Sequence, residues 1–287
     1  MIYRAVFSYF NPDEKTSNRC GFTKFSDFLF TTALSVHCAS KLFKEVAMVS
    51  TDWGLEIFKE IGLPITEYSN SINSIKEIPK QFWAYGKMIA YCEQKKPFIH
   101  IDNDVFMWEK LPDRILNAEF CFQSWEPMDE EYFKYYHLLR EPWINAPIRP
   151  QKIVENEVYD YAYNCGICGG HNLDFYKEWK ECSTEYIFAQ ENQKTFFDDF
   201  LDVIQHQNLF HEQYFAACLI QMHKKRAKVE VIHQNGPSIP DVLKYTHLWG
   251  TTKRDVDMMR RVYLRLHMEN RRLHQRVEAY CKKNNII

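Results

Sequence analysis

The chain has 287 residues, of which 46% are hydrophobic and 16% aromatic, and its formal net charge is −2. These values exclude a mainly disordered protein, and no apolar stretch approaches the roughly 20 residues of a membrane-spanning helix. The charge balance argues against nucleic-acid binding by the whole chain, and an N-terminus that starts directly as a strand favours a cytoplasmic protein.

The nine cysteines are an odd number and lie in apolar segments, which predicts reduced, buried thiols rather than disulfides. Cys165 and Cys168 have the C-x-x-C spacing. A structural zinc site would need a second pair of ligands at a comparable spacing, which the sequence lacks. We therefore do not expect zinc or redox chemistry at this pair.

Strand-like and helix-like segments alternate in the first half of the chain. The predicted strands span residues 2–7, 45–50, 65–68 and 98–102, and the predicted helices span residues 23–41, 52–61 and about 80–93. This order predicts a Rossmann-like α/β domain with a mixed, mostly parallel sheet. Polar residues that follow the strands, such as Ser8 and Asp52, suit a nucleotide, although no glycine-rich phosphate loop is present.

The second half is less regular but continues the same domain. Strands are predicted at residues 119–123, 161–165, 229–233 and 245–248, and helices at residues 173–188 and 210–225. No repeat and no linker rich in Gly or Ser interrupts it. We therefore expect one domain over residues 1–253, followed by a basic amphipathic helix over residues 254–287.

Two carboxylates directly follow a buried strand. Asp102 and Asp104, separated by Asn103, end the mostly apolar run 98–101. Positions i and i+2 of an extended chain project to the same side, so both carboxylates can hold one ion at the strand end, where α/β sheets bind ligands. Such oxygen ligands suit Mg²⁺ or Mn²⁺ with a bound diphosphate. A polar boundary between strand and turn is the alternative, since this spacing alone is weak evidence.

A later segment offers a third ligand. His247, Gly250 and Lys253 follow a short strand-like run with the spacing H-x-x-G-x-x-K. Imidazole is a good ligand for Mn²⁺, glycine lets backbone N–H groups approach a phosphate, and lysine supplies a point charge for a diphosphate. Taken alone, the segment is better explained by a histidine and a lysine with ordinary structural roles.

The D-x-D of Asp102 and Asp104 and the later H-x-x-G-x-x-K together resemble the metal and diphosphate sites of GT-A-fold glycosyltransferases. The nearest likeness is to retaining enzymes related to glycogenin and the bacterial lipopolysaccharide galactosyltransferases. The resemblance covers residues 1–253 in order and spacing. It departs after Lys253, where Arg254 and the next residue replace the usual Pro-Trp.

Two further motifs extend this resemblance. Asn164 and Gly166 look like the N-x-G strand that borders the acceptor side in those enzymes, and Glu212 and Gln213 look like the acidic-Gln start of the helix that follows. The resemblance implies that these four residues bind the substrate. Glu212 would be a general base if the reaction inverts configuration, and would position the acceptor if the reaction retains it.

The resemblance also implies an activity and a ligand set. The chain would move a sugar from a nucleotide-diphosphate sugar, with a UDP-sugar favoured, to a saccharide acceptor that is a glycan or lipid-linked. Mn²⁺ or Mg²⁺ would be held by Asp102, Asp104 and His247, and Lys253 would neutralise charge on the leaving diphosphate. The residues implied for the bound donor are Asp52, Lys87, Asn103, Gly250 and Lys253.

Several of these assignments have structural alternatives. Lys87 could be a solvent-facing helix lysine, and Asp52 could be a helix N-cap. The aromatic residues of the stretch after residue 124 could stack on sugar rings or belong to the core; they are Trp125, Tyr132, Tyr135, Tyr136 and Trp143. For the whole chain, the alternatives are a nucleotidyltransferase and a catalytically inactive interaction module.

The C-terminal segment is basic and periodic. Between Lys253 and Lys283 it carries ten Lys or Arg and four Asp or Glu, hence +6, whereas the rest of the chain carries −8. Its apolar residues recur at steps of three and four from Val256 to Tyr280, with Asn270 in an a-type position. This pattern predicts a helix that docks on its own domain or pairs in a homodimer. Its arginines would face water, acidic partners or the head groups of a membrane inner face.

Overall fold

A central sheet of seven strands organises the chain. A computed structural model describes residues 1–16, 19–75, 78, 82–127, 161–188, 208–225, 228–233, 244–248 and 250–286. The strands are β1 (Arg4–Tyr9), β2 (Glu45–Ser50), β3 (Glu67–Ser69), β4 (Phe98–Ile101), β5 (Val105–Met107), β6 (Phe120–Pro127), β7 (Tyr161–Gly170), β8 (Val229–His233) and β9 (Tyr245–His247). The helices are α1 (Phe25–Leu42), α2 (Asp52–Ile61), α3 (Tyr85–Glu93), α4 (Asp113–Leu116), α5 (Leu173–Phe188), α6 (Phe215–Met222), α7 (Val256–Glu269) and α8 (Arg271–Lys283).

The strand order of the sheet is β3-β2-β1-β4-β7-β6-β8. The pairs β3–β2, β2–β1, β1–β4 and β6–β8 are parallel, and β7 runs antiparallel to both β4 and β6. Strands β5 and β9 form a separate antiparallel pair. The predicted α/β fold with a mixed, mostly parallel sheet is therefore confirmed.

Apolar layers cover both faces of the sheet. On β1, Ala5 and Phe7 join a cluster with α1, α2, α7 and α8, whereas Val6 joins the cluster formed with α3, α5 and α6. This division follows from the alternation of side chains along a strand. Burial on both faces explains why the strands read as nearly continuous apolar runs.

Two elements differ from the predicted boundaries in ways that affect the site. The strand expected over residues 161–165 continues to Gly170, so Cys165 and Cys168 lie inside β7, where both thiols are buried and free. The helix expected over residues 210–225 begins instead as a π-helical turn, Leu209–Tyr214, which leads into α6. Such turns occur frequently at functional sites.

The C-terminal segment forms two helices rather than one. Asn270 leaves helical geometry, with φ −154° and ψ 85°, and its side chain caps α8 by accepting a hydrogen bond from the Leu273 N–H at 3.0 Å. Val262 and Val277 are buried in the cluster with α1 and α2, so the segment docks on its own domain. Val256 is 64% exposed, and its predicted place in the apolar seam is wrong. Among the described helices, none combines the length and apolarity required to traverse a bilayer.

Candidate functional site

Hydrogen bonds from three elements fix the turn after β4. The Asp102 N–H donates to the Gly166 carbonyl of β7 at 2.9 Å, and the Ser35 hydroxyl of α1 donates to the Asp102 carbonyl at 3.2 Å. The Asn103 amide donates to the Ser8 carbonyl of β1 at 2.7 Å. The predicted Asn103 therefore joins the turn to the end of β1, at the edge of the sheet where the parallel strands end.

The pairing of β9 with β5 brings the late histidine to this turn. Val105 pairs with His247, and the Leu248 N–H donates to the Asp104 carbonyl at 3.0 Å. One ligand atom from each of Asp102, Asp104 and His247 lies within 4.8 Å of the others. His247 Nε2 is 3.6 Å from Asp104 Oδ1. The three predicted metal ligands thus form one cluster.

A glutamine that the sequence did not indicate orients this histidine. Gln123 Oε1 lies 2.9 Å from His247 Nδ1, so Nδ1 carries the proton and Nε2 keeps its lone pair. The pairing of β6 with β7 shifts register at this residue, between Phe122 and Ser124, and such bulges re-aim a side chain. A Cβ at Gly166 would lie 2.5 Å from Gln123 Oε1 and 2.5 Å from His247 Cε1. The predicted Gly166 therefore gives both side chains their space.

Lys87 joins two of the predicted carboxylates. Its ammonium lies 2.8 Å from Asp102 and 2.8 Å from Glu212, which the π-helical turn carries inward. The Lys87 and Glu212 side chains are only 9% and 2% exposed. The alternative of a solvent-facing helix lysine is therefore wrong. The Lys87 ammonium also lies 5.4 Å from the ring centre of Trp83, an exposed residue before α3.

Lys253 is the second cation of the site. Its ammonium lies 2.5 Å from Asp104 Oδ2 and 5.5 Å from the ring centre of Phe22. Lys253 belongs to the short 3-10 helix Gly250–Arg254, which Gly250 begins at φ +58°. This left-handed geometry explains the glycine.

The pKa shifts follow from burial and from these ion pairs. Burial raises the pKa of Asp102 to about 6, against the opposing effect of Lys87. Burial likewise raises the pKa of Glu212. For Asp104, burial is outweighed chiefly by the charge and the hydrogen bond of Lys253, and the pKa is lowered. Burial lowers the pKa of His247, which favours the neutral imidazole that metals bind.

The donor set fits a divalent cation. Two carboxylates and an unprotonated imidazole nitrogen converge in Asp102, Asp104 and His247, and Mn²⁺ or Mg²⁺ accepts such ligands. With Glu212 ionised, three carboxylates face the two ammoniums of Lys87 and Lys253, which leaves an excess of one negative charge among the described residues of the site. This excess favours a bound cation.

A buried histidine behind the turn was also missed by sequence reasoning. His100 of β4 is 1% exposed, and its Nε2 lies 2.9 Å from the Ser8 hydroxyl. Its Nδ1 is 3.7 Å from Asp102 Oδ1. Because His100 lies within an apolar strand, no sequence pattern distinguishes it. Only its position beside Asp102 in the structure makes it part of the site.

The predicted substrate residues occupy the neighbouring strand and turn. Asn164 of β7 donates to the Glu126 carboxylate at 2.5 Å and accepts from the Gly166 N–H at 2.9 Å. Burial raises the pKa of Glu126. Gln213 follows Glu212 and is buried, with no hydrogen bond to its Oε1 from the described residues.

Asp52 lies at the same sheet edge, at the start of α2. The N-cap of α2 is Thr51, which accepts from the Gly54 N–H, so the alternative role of Asp52 as the N-cap is wrong. The Asp52 carboxylate instead accepts from Asn70 at 2.9 Å and from Asn73 at 2.6 Å. These bonds tie α2 to the segment after β3.

The aromatic stretch is described only in part. Trp125 is half-buried and lies 4.4 Å from Tyr161 and 4.8 Å from Tyr163 between ring centres. The other aromatic residues named as candidates for sugar stacking or for the core lie outside the described residues; they are Tyr132, Tyr135, Tyr136 and Trp143.

Two solved structures are similar to this chain at low identity. Mouse xyloside xylosyltransferase 1, in its apo form, is 11% identical with a TM-score of 0.39, over 80% of this chain and 85% of that chain. The inositol-1-phosphate CTP transferase from T. maritima is 10% identical with a TM-score of 0.40, over 91% of this chain and 96% of that chain. At these scores neither likeness carries weight for the activity.

The sequence itself matches one protein family. No curated protein matches the chain. The profile of a family described as "Family of unknown function (DUF6734)" matches residues 3–280. Because this match spans nearly the whole sequence, the chain belongs to the DUF6734 family.

Proposed function

We propose that this protein is a metal-dependent glycosyltransferase that uses a nucleotide-diphosphate sugar and transfers the sugar to a saccharide acceptor. One observation carries the proposal. Asp102, Asp104 and His247 converge at the ends of parallel strands, and the cations Lys87 and Lys253 flank them. Open α/β sheets bind their ligands at this edge. Residues 1–253 would form the catalytic domain.

Asp102, Asp104 and His247 would hold Mn²⁺ or Mg²⁺, with Gln123 fixing the histidine tautomer. Such an ion supplies positive charge to a diphosphate leaving group as the glycosidic bond breaks. Lys253 would act on the same group. Its ammonium forms an ion pair with Asp104 and would pair with the diphosphate instead when a donor binds. The new ion pair would offset the loss of the pair with Asp104.

Lys87 and Glu212 would act on the sugar side. Lys87 holds the Glu212 carboxylate 2.8 Å from its ammonium in a buried position, which limits where that carboxylate can point. In an inverting reaction Glu212 would take the proton from the acceptor hydroxyl, and its raised pKa suits a general base. In a retaining reaction Glu212 would position the acceptor. The anomeric configuration of the product, measured by NMR, separates the two roles.

The donor nucleoside would lie over the ends of β1 and β2. Asn103 anchors the metal-binding turn to β1, and Asp52 is held by Asn70 and Asn73 at the start of α2. A carboxylate held in this way can accept hydrogen bonds from ribose hydroxyls. We expect a UDP-sugar to be preferred.

The first experiment is thermal stabilisation by UDP, GDP and CTP, each with and without Mn²⁺. A ligand that binds only the folded state stabilises it by about 2.7 kcal/mol at 100 times its dissociation constant. We expect a Mn²⁺-dependent shift with UDP, lost in Asp104→Asn. The matched control is Asp257→Asn, since Asp257 belongs to a second D-x-D but lies exposed on α7.

The outcomes separate the alternatives. Mn²⁺-dependent UDP binding followed by hydrolysis or transfer of a UDP-sugar would support the glycosyltransferase. Preferential CTP binding would favour a nucleotidyltransferase. No Mn²⁺-dependent stabilisation by any nucleotide, with the fold intact, would refute the proposal and favour an interaction module.

A further inference from the structure

Helix α7 presents a short apolar stripe to solvent, formed by two residues one turn apart. On α7, Leu264 and Met268 are 64% and 80% exposed, while Val262 and Leu266 on the opposite side are buried against the domain. The buried side fixes the orientation of the helix, so the exposed stripe is a permanent feature of the surface. Leu264 and Met268 lie one turn apart, so they form a small continuous apolar patch, and an apolar patch bordered by polar residues is typical of an interaction site.

Arginines border the stripe. Residues three and four apart lie on the same side of a helix, which places Arg260 and Arg261 beside Leu264 and Met268. We call these four residues the outer face of α7. All four are exposed. Arg271 and Arg272 are also exposed and begin α8, after the break at Asn270.

Most of this positive charge is uncompensated. Arg260 pairs with Asp257 at 2.9 Å. Arg261, Arg271 and Arg272 form no ion pair among the described residues, although the rest of the chain is net acidic. The surface therefore combines apolar side chains with unbalanced arginines.

Apolar side chains together with unbalanced arginines indicate which partner can bind the outer face. A second copy docked through the same face would bring its arginines against these, and such like-charge contacts are repulsive. An anionic bilayer surface is complementary to both kinds of side chain. Its acyl chains can contact Leu264 and Met268, and its phosphate head groups can pair with the arginine guanidiniums.

We infer that the outer face of α7 binds the surface of an anionic lipid bilayer. The contact is peripheral: two apolar side chains enter the interface and the arginines pair with head groups. It stands independently of the catalytic proposal.

The test is cosedimentation of the full-length chain with vesicles of phosphatidylcholine alone or mixed with phosphatidylglycerol. We expect binding only to the mixed vesicles, weakened by salt. Each arginine near an anionic surface contributes about 1 kcal/mol, which is about fivefold in affinity. Replacing both Arg260 and Arg261 by glutamine should therefore weaken binding roughly 30-fold.

Matched variants control for charge and for apolarity elsewhere. Lys95 and Lys110 are exposed on the domain body, and replacing both by glutamine removes the same charge. Met222→Ser alters an exposed apolar residue outside the face, for comparison with Met268→Ser. Because these positions are exposed, circular dichroism should report an unchanged fold.

The proposal predicts loss of binding in the outer-face variants and retention in the controls. It is overturned if the protein does not bind the mixed vesicles, binds neutral vesicles equally well, or loses binding to the same extent in the outer-face variants and the controls. Dimerisation that Met268→Ser abolishes, without vesicle binding, would assign the face to a second copy. Vesicle binding without Mn²⁺-dependent nucleotide binding would leave this inference standing and remove only the catalytic one.

Discussion

Replacing Gln123 by leucine should weaken Mn²⁺ binding about 10- to 100-fold, although Gln123 is not itself expected to touch the ion. The Gln123 carbonyl accepts the proton on His247 Nδ1 at 2.9 Å, which leaves Nε2 deprotonated on the side of Asp104. Leucine has a similar volume but cannot accept a hydrogen bond. The change therefore alters the histidine and leaves the packing nearly intact.

The magnitude follows from what His247 can do next. With Nδ1 protonated, the variant would hold a buried N–H without a hydrogen bond from residue 123, at a cost of about 1–3 kcal/mol. The metal-free variant avoids this cost by moving the proton to Nε2, and metal binding must move it back. At about 1.4 kcal/mol per tenfold, this cost gives a loss of about one to two orders of magnitude in affinity.

Isothermal titration with Mn²⁺ at neutral pH measures this loss. Gln123→Glu retains an acceptor for Nδ1 and should bind Mn²⁺ at least as well as the wild type. His247→Ala sets the loss expected when the ligand is absent. If Gln123→Leu binds like the wild type while His247→Ala loses affinity, the orienting role of Gln123 is refuted.

Four further outcomes are expected. Gly166→Ala should displace His247, weaken Mn²⁺ binding, and lower the free energy of unfolding by about 1–3 kcal/mol, as measured by titration and by denaturant; unchanged metal affinity would contradict this. Because burial raises the pKa of Asp102 to about 6 and a metal binds only the carboxylate, Mn²⁺ affinity should fall about tenfold per pH unit below 6 and level off above it; a flat profile from pH 5 to 7 would disagree. Lys253→Met should tighten Mn²⁺ binding in the absence of nucleotide, because no ammonium then competes for the Asp104 carboxylate. The same variant should weaken Mn²⁺-dependent UDP binding, and a change of both affinities in the same direction would argue against an ion pair between Lys253 and the diphosphate. Asn270→Ala removes the N-cap of α8 and should cost about 1 kcal/mol in urea unfolding without affecting Mn²⁺ binding.

The sequence predicted the elements whose patterns are local. The predicted boundaries of β2, α2, α5 and β8 match the structure, and β4 ends one residue before its predicted end at Asp102. Apolar periodicity, helix caps and turn residues act over a few positions, so they can be recognised in a single sequence. The break at Asn270 was missed because asparagine also fits a heptad position.

The candidate metal site could be recognised only from the sequence and the structure together. The D-x-D and the later H-x-x-G-x-x-K could be named from the sequence, but only the pairing of β5 with β9 places His247 beside Asp104. The likeness to glycosyltransferases linked the two motifs, whereas spacing could not. Lys87 was equally ambiguous until α3 and the π-helical turn placed it between Asp102 and Glu212.

The sequence by itself determined the α/β class, most elements and the residue types available for a metal and a diphosphate. The tertiary structure decided the antiparallel place of β7, the bulge that aims Gln123 and the ion pairs of Lys87 and Lys253. The physical reason is the distance along the chain over which each interaction acts. Helix and strand patterns repeat every few residues, whereas strand register and buried charge pairing depend on contacts between segments far apart in the chain.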